Sequence, residues 1–377
     1  MRQLKGMPLN SRDMIIGKIT KNFSQKKAKN CILVIESIKE KIRGFKAIIC
    51  SSPIEEAQAK RLKMPVVHSA ENIEALNEGD IVLIDMVTGE IIILYEKNSV
   101  HNAILASTDC NCRCIMCPQD LTTDSPENLK NNIQIIRLID KNTKALGITG
   151  GEPLILGDGL IQLLKECKRQ LPETQIQILT NGILLRDIDY VRRITRLNLK
   201  NLIFCIPLYA DTDKEHDFIM QRNGAFEDTI LGLYNLAAYR QLVEIRTVIM
   251  SLNYRRLPQI AEFIYRNLPF VIHVAFMGME VEGQAKKNMK KLWVSPLKYA
   301  PYLKEAVIYL SRRGMNVSIY NEQFCLMPEE LWGFMKKSIS EWKNTYLETC
   351  ELCKKRNECG GFFAQPVEEH KSLISPL

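Results

Sequence analysis

The chain has 377 residues, 46% hydrophobic and 25% charged, the balance of a globular protein with room for two or three domains. Its net charge of +8 arises from 51 basic and 43 acidic side chains. The one dense basic run, Lys286-Lys287-Asn288-Met289-Lys290-Lys291, reads as a solvated surface element without aromatic or glycine-rich company, so nucleic acid is not favoured as a partner. No apolar run approaches the ~18 residues of a membrane span. The first residues lack the apolar stretch of a secretory signal, so the expected location is cytoplasmic.

Residues 1–99 read as a strand-rich α+β lobe, with β-prone runs at 14–20, 31–36 and 45–50. Ser52-Pro53 looks like an N-cap and N1 pair opening a helix to Lys63. Runs at 81–86 and 91–95 around Thr88-Gly89 complete the lobe as a hairpin. The stretch 64–95 resembles the swivelling phosphohistidine domain of phosphoenolpyruvate-utilising enzymes. It lacks that family's catalytic-histidine segment, so His68 reads as an ordinary polar residue.

From residue 100 the texture changes. Strand-like runs at 100–107, 145–149, 175–180, 201–208, 244–250 and 271–277 alternate with helices near 126–141, 157–171, 187–196, 224–240 and 255–267. Six strands separated by helices argue for an α/β fold with a parallel sheet, open or curled into part of a barrel. The active site then belongs at the C-terminal strand ends. A third region, 284–377, opens with a helix capped by Ser295-Pro296 and stopped by Gly314, followed by a strand at 316–320. The expected domains are thus 1–99, 100–283 and 284–377.

Twelve cysteines are the strongest compositional signal. In a reducing compartment clustered thiols point to metal or redox chemistry rather than disulfides. Cys31, Cys50, Cys167 and Cys205 sit singly among apolar neighbours and read as inert core. Cys110, Cys112, Cys114 and Cys117 directly follow the first strand of the α/β region. A cubane cluster normally takes four cysteine ligands. Cys110, Cys114 and Cys117 form a C-x3-C-x2-C frame that supplies three and leaves one iron open. Cys112 could close the cluster as a fourth ligand, but reads as a spectator on the other side of the loop. A zinc site on Cys114 and Cys117 is a weaker rival, since such a pair usually needs a second pair. One β–α unit later comes Thr149-Gly150-Gly151-Glu152-Pro153. Its glycines let backbone approach a ligand closely, and Glu152 adds negative charge suited to a cationic amine.

The two motifs together resemble the radical S-adenosylmethionine (SAM) superfamily over about 100–280. That resemblance implies a partial (β/α)6 TIM-like barrel. It also implies a 4Fe–4S cluster on Cys110, Cys114 and Cys117, with SAM chelating the open iron and cleaved reductively to a 5′-deoxyadenosyl radical. Gly150, Gly151 and Glu152 inherit the contact to the SAM amino group, and Thr180-Asn181-Gly182 resembles the family's T-N-G segment. Two positions depart from the family pattern. Met116 stands where an aromatic residue usually packs near adenine, and Pro207 where many relatives have a serine. Arg246 is a candidate partner for the SAM carboxylate, its alternative being a surface ion pair.

Cys325, Cys350, Cys353 and Cys359 form a second group, C-x24-C-x2-C-x5-C, suited to a closed zinc site or an auxiliary 4Fe–4S cluster. The run resembles the C-terminal auxiliary-cluster extensions of peptide-modifying radical SAM enzymes, which favours iron–sulfur. A closer resemblance is carried in order by Ile206-Pro207-Leu208-Tyr209, Gly224-Ala225-Phe226, Val243-Glu244-Ile245-Arg246, FIYRNLPFV at 263–271, VAFMGME at 274–280, NVSIYN at 316–321 and KSISEWKN at 337–344. These segments are similar to the His-Xaa-Ser system radical SAM maturase of the HxsC type. That family implies a peptide or small-protein substrate with His-Xaa-Ser repeats, a second radical SAM protein as partner, and an electron donor such as flavodoxin or ferredoxin. Two other classes stay open: a radical SAM enzyme acting on a small molecule or nucleotide, and a non-catalytic iron–sulfur carrier or scaffold. His216 reads as a helix-start or surface residue, or, since it follows the fourth strand, as one facing the substrate; His273 reads as a satisfied core histidine, and Trp332 and Trp342 as packing residues.

Overall fold

The computed structural model describes residues 3–23, 28–38, 42–55, 58, 61–119, 127–337, 344–363 and 367–377. It comprises two compact units, both discontinuous in sequence. Met1–Ile104, Ser125–Leu146 and Gln162–Thr174 make the first; Leu105–Asp124, Gly147–Ile161 and Gln175–Leu377 make the second.

The first unit is built on an eight-stranded sheet: β1 (Gln3–Lys5), β2 (Met7–Leu9), β3 (Met14–Thr20), β4 (Cys31–Ile35), β5 (Ala47–Cys50), β6 (Val66–His68), β7 (Ile81–Asp85) and β8 (Glu90–Tyr95). The order is β1-β8-β7-β3-β4-β5-β6-β2. The two end strands are separated in the chain by Gly6 alone, so the sheet must curl back on itself. The Val/Ile-rich β4 and β5 pair in parallel and bury nearly every side chain, as a strand covered on both faces requires. His68 is half-buried with Nδ1 3.1 Å from Ser69 Oγ, an ordinary polar residue. The helix expected from Ser52-Pro53 lies partly outside the described residues, and 53–55 within it are not helical.

The second sheet has the order β15-β14-β13-β12-β11-β10-β9. Its strands are β9 (Asn102–Ser107), β10 (Ala145–Gly150), β11 (Gln175–Leu179), β12 (Leu202–Pro207), β13 (Leu242–Ile249), β14 (His273–Gly278) and β15 (Val317–Tyr320). From β11 to β15 every neighbouring pair is parallel. This is the α/β arrangement the alternating pattern implies, with one correction. Among the described residues the sheet has seven strands rather than six, because the strand read within 284–377 is an integral part of it. The helix Pro296–Ser311 packs against Leu257–Asn267 and returns the chain so that Val317 faces Val274, the usual βαβ crossover. Along β13, Val243, Ile245, Thr247 and Ile249 are buried, while Glu244, Arg246 and Val248 alternate onto the other face. Among the described residues no helix is long and apolar enough to cross a membrane.

Beyond β15 the chain runs through short 3₁₀ turns, including Phe324–Leu326 and Glu348–Leu352, and a two-stranded pair, β16 (Asn344–Thr345) with β17 (Phe362–Phe363). Trp332 packs edge-on against Phe324 at 5.5 Å and donates to the Phe324 and Met327 carbonyls. Trp342 lies outside the described residues.

Candidate active site

Two glycines set the geometry at the C-terminal ends of β9 and β10. A Cβ on Gly150 would sit 1.9 Å from the Ser107 carbonyl oxygen, and one on Gly151 2.2 Å from that of Asp109. No side chain larger than hydrogen fits there, and Gly150 also has φ +143°, a conformation that glycine adopts without strain. The close approach lets Gly151 N–H donate to Ser107 O at 2.8 Å and Glu152 N–H to Asp109 O at 2.7 Å. The cysteine loop therefore starts from a fixed point. Its later part is held by Arg113 N–H to Met220 O, Ile115 N–H to Ile219 O and Asn288 Nδ2 to Ile115 O.

Glu152 is fully buried. Its Oε1 accepts from Leu154 N–H at 2.9 Å and Thr180 Oγ1 at 2.6 Å, and its Oε2 from Asn181 N–H at 2.7 Å. Burial pushes its carboxyl up to about 7 against the pull of these three hydrogen bonds. These bonds brace the end of β10 against that of β11. Asn181 extends the brace, its Nδ2 donating to Asn111 Oδ1 at 2.6 Å and approaching Cys112 Sγ at 3.6 Å.

These elements surround a cavity of about 280 Å³, close to the size of a small-molecule site. Cys110, Cys114 and Cys117 line it together with Gly150, Gly151, Thr180, Asn181 and Arg246. Glu152 is the one expected first-site residue that does not. Cys112 borders the cavity as well, so it does not face away as the loop spacing suggests. Its N–H donates to Cys110 Sγ at 3.4 Å. The hydrogen bond shared between the two sulfurs pulls Cys110 down to about 6 and pushes Cys112 upward. Burial lifts Cys114 to about 12.

Arg246 is an interior residue, not part of a surface pair: its side chain is 14% exposed and bound to Glu244, 13% exposed. Burial would raise the Glu244 carboxyl, but His273 and Arg246 outweigh it and hold it at about 2. Met116 and Pro207 line the cavity, leaving those positions without an aromatic ring or a hydroxyl. Tyr209 and Cys205 also line it, although neither stands out in the sequence as a site residue. Tyr209 is held by His216 Nδ1, which accepts its N–H at 3.3 Å, and by Asn253 Nδ2, which donates to its carbonyl at 2.9 Å. His216 is fully buried in Asp213–Met220, correcting the surface reading, because its ring stacks on Tyr209 and meets Phe226 edge-on.

The second cysteine group also converges. Cys325, Cys350, Cys353 and Cys359 line one small cavity. Gly361 N–H donates to Cys359 Sγ and Leu377 N–H to Cys353 Sγ, each at 3.5 Å, and the Ser375 backbone serves Cys325. Burial raises the Cys325 and Cys359 thiols against the pull of their backbone donors. Among the described residues no three or more His, Cys, Asp or Glu side chains converge on the position of a single metal ion.

Residues 104–264 match the model of the radical SAM superfamily. That stretch contains the first cysteine loop, the Gly150-Gly151 turn and Arg246. Residues 104–264 form a radical SAM superfamily domain. A GTP 3′,8-cyclase of Petrotoga mobilis is 32% identical over 210 residues, covering 53% of this chain and 62% of that protein. A GTP 3′,8-cyclase of Clostridium perfringens is 28% identical over 202 residues, 51% of this chain and 59% of that protein. The chain thus spans about three-fifths of the length of these relatives. A solved structure of SuiB from Streptococcus suis bound to S-adenosylmethionine aligns over 68% of this chain and 57% of that one, at 17% identity and a TM-score of 0.48.

A radical SAM domain implies a 4Fe–4S cluster and SAM. The residues present fit both: Cys110, Cys114 and Cys117 border one cavity, alongside Cys112 and Cys205, with glycine backbone, amide and guanidinium groups, and a three-cysteine set leaves one iron of a cubane free.

Proposed function

We propose that the protein is a radical SAM enzyme in which Cys110, Cys114 and Cys117 hold a 4Fe–4S cluster with one open iron. The observation that carries this reading is that these three cysteines line one cavity with Gly150, Gly151, Thr180, Asn181 and Arg246. When bound, the cluster and SAM supply a 5′-deoxyadenosyl radical by reductive cleavage. The chain's own residues prepare the place. Gly150 and Gly151 offer backbone to the SAM amino group; Glu152 braces the turn that presents it. Asn181 ties the third strand end to the cysteine loop through Asn111, and Arg246 supplies positive charge. Functionally the chain divides at 1–99, 100–283 and 284–377, with most of the barrel-like core in the middle segment and its last strand, β15, supplied by the third.

The proposed substrate is a peptide or small protein of the His-Xaa-Ser repeat type, modified in the cytoplasm with a second radical SAM protein as partner and a flavodoxin or ferredoxin as electron donor. Support comes from the family-like segments running from 206 to 344, well beyond the 104–264 match, and from the four cysteines around one cavity. Cys325, Cys350, Cys353 and Cys359 would hold an auxiliary 4Fe–4S cluster there. A second reading, a nucleotide substrate, is favoured by the identity to GTP 3′,8-cyclases. Anaerobic reconstitution with SAM and dithionite, assaying 5′-deoxyadenosine with a His-Xaa-Ser peptide or with GTP, separates the two. Stimulation by GTP alone would overturn the peptide reading.

A further inference from the structure

Arg246 heads a chain of polar side chains that runs across three neighbouring strands. Its Nε donates to Glu244 Oε1 at 2.5 Å. The other carboxylate oxygen accepts from His273 Nδ1 at 2.8 Å, and His273 Nε2 lies 2.9 Å from Ser318 Oγ. The register makes this possible. Glu244 lies directly opposite His273, and Ser318 pairs with Ala275, two residues further along the same strand, so all four side chains share one face. Arg246, Glu244 and His273 are each less than one-sixth exposed.

Two facts give the chain a direction. Of its members only Arg246 borders the cavity, and Arg246 is the only cationic side chain among the described residues that line it. An anionic group of a bound ligand therefore has one charged partner to find. Both Glu244 oxygens and both His273 nitrogens are occupied, so neither residue is available to the ligand. What they do is fix the arginine's Nε, and with it the plane of the guanidinium fork, whose recognition of a carboxylate is directional.

We propose that Glu244, His273 and Ser318 are positioning residues that hold the Arg246 guanidinium as the recognition group for the carboxylate of bound SAM. This rests on the proposed function, in which the cavity binds SAM, and it extends that reading to three residues outside the cavity.

The test measures dissociation constants on the anaerobically reconstituted protein, for SAM and for decarboxylated SAM, which lacks the carboxylate. Arg246→Met and His273→Leu should each weaken SAM about tenfold, the effect of losing or misaligning one charge-assisted hydrogen bond. Both variants should bind the decarboxylated analogue as the unmodified protein does. His273→Gln, whose amide can donate to Glu244 and accept from Ser318, should restore SAM affinity. If Arg246→Met weakens SAM selectively while His273→Leu does not, the positioning role is overturned and Arg246 stands alone. The positioning role also falls if His273→Leu weakens both ligands equally, since a merely structural role would do that. If Arg246→Met changes neither affinity, the carboxylate contact itself is refuted. Absence of SAM binding by the unmodified protein would instead refute the underlying function.

Discussion

Replacing Glu322 by Gln should flatten the pH dependence of stability. Glu322 follows the last strand of the core sheet and is fully buried. Its Oε1 accepts from the Tyr299 hydroxyl, while Oε2 is buried with no hydrogen-bond partner among the described residues. Burial pushes the carboxyl from 4.5 up to about 8. The folded state thus holds the proton more tightly than the unfolded chain. The stability linked to that proton is fully present below pH 4.5 and is lost as pH rises through 8. With those two values, linkage gives a loss of roughly 2.5 kcal/mol between pH 5 and pH 7. Gln keeps the acceptor for Tyr299 and has no proton to lose. Trp293 and Trp332 lie in the second unit, so tryptophan fluorescence during denaturant unfolding reports that unit. The difference in unfolding free energy between variant and unmodified protein should grow by about that amount from pH 5 to pH 7. Parallel profiles would refute the account of Glu322 as a buried, proton-holding acid.

Three further outcomes follow from the site. Gly151→Ala drives a Cβ into the Asp109 carbonyl and should displace the cysteine loop; iron content and SAM affinity should both collapse while the first unit's far-UV signal persists. Glu152→Gln sets an amide NH2 against an N–H or O–H donor. It should cost about 1–3 kcal/mol for the disrupted buried hydrogen bonds, measured by the same unfolding assay, more than an exposed Glu→Gln change would. Cys359→Ala should remove the proposed auxiliary cluster, lowering iron per chain by about half, while SAM binding at the first cavity is retained.

The periodic part of this architecture was legible because strand and helix periods alternate cleanly from 100 to 277. The cysteine spacing marked the loop, and the paired glycines marked a close approach that the structure places at Ser107 and Asp109. The strand 317–320 was visible as a strand, yet its membership in the core sheet depends on a long crossover helix that no local pattern encodes. The bracing role of Glu152 was hidden for a related reason: its partners, Thr180 and Asn181, sit at the end of the next strand and are invisible to spacing. The pairing of Tyr209 with His216 escapes notice because each is ordinary alone; the stacked pair exists only once Asp213–Met220 has folded. Arg246 and Glu244, two residues apart on a strand, did carry a usable signal: same-face placement of opposite charges.

The most direct test is reductive SAM cleavage by the anaerobically reconstituted protein and by a variant with Cys110, Cys114 and Cys117 all replaced by Ala. The unmodified protein should release 5′-deoxyadenosine in the presence of dithionite, and the triple variant should release none while keeping the iron of the auxiliary cluster proposed on Cys325, Cys350, Cys353 and Cys359. Cleavage that survives loss of all three cysteines would contradict the assignment of the first cavity as the radical-generating site.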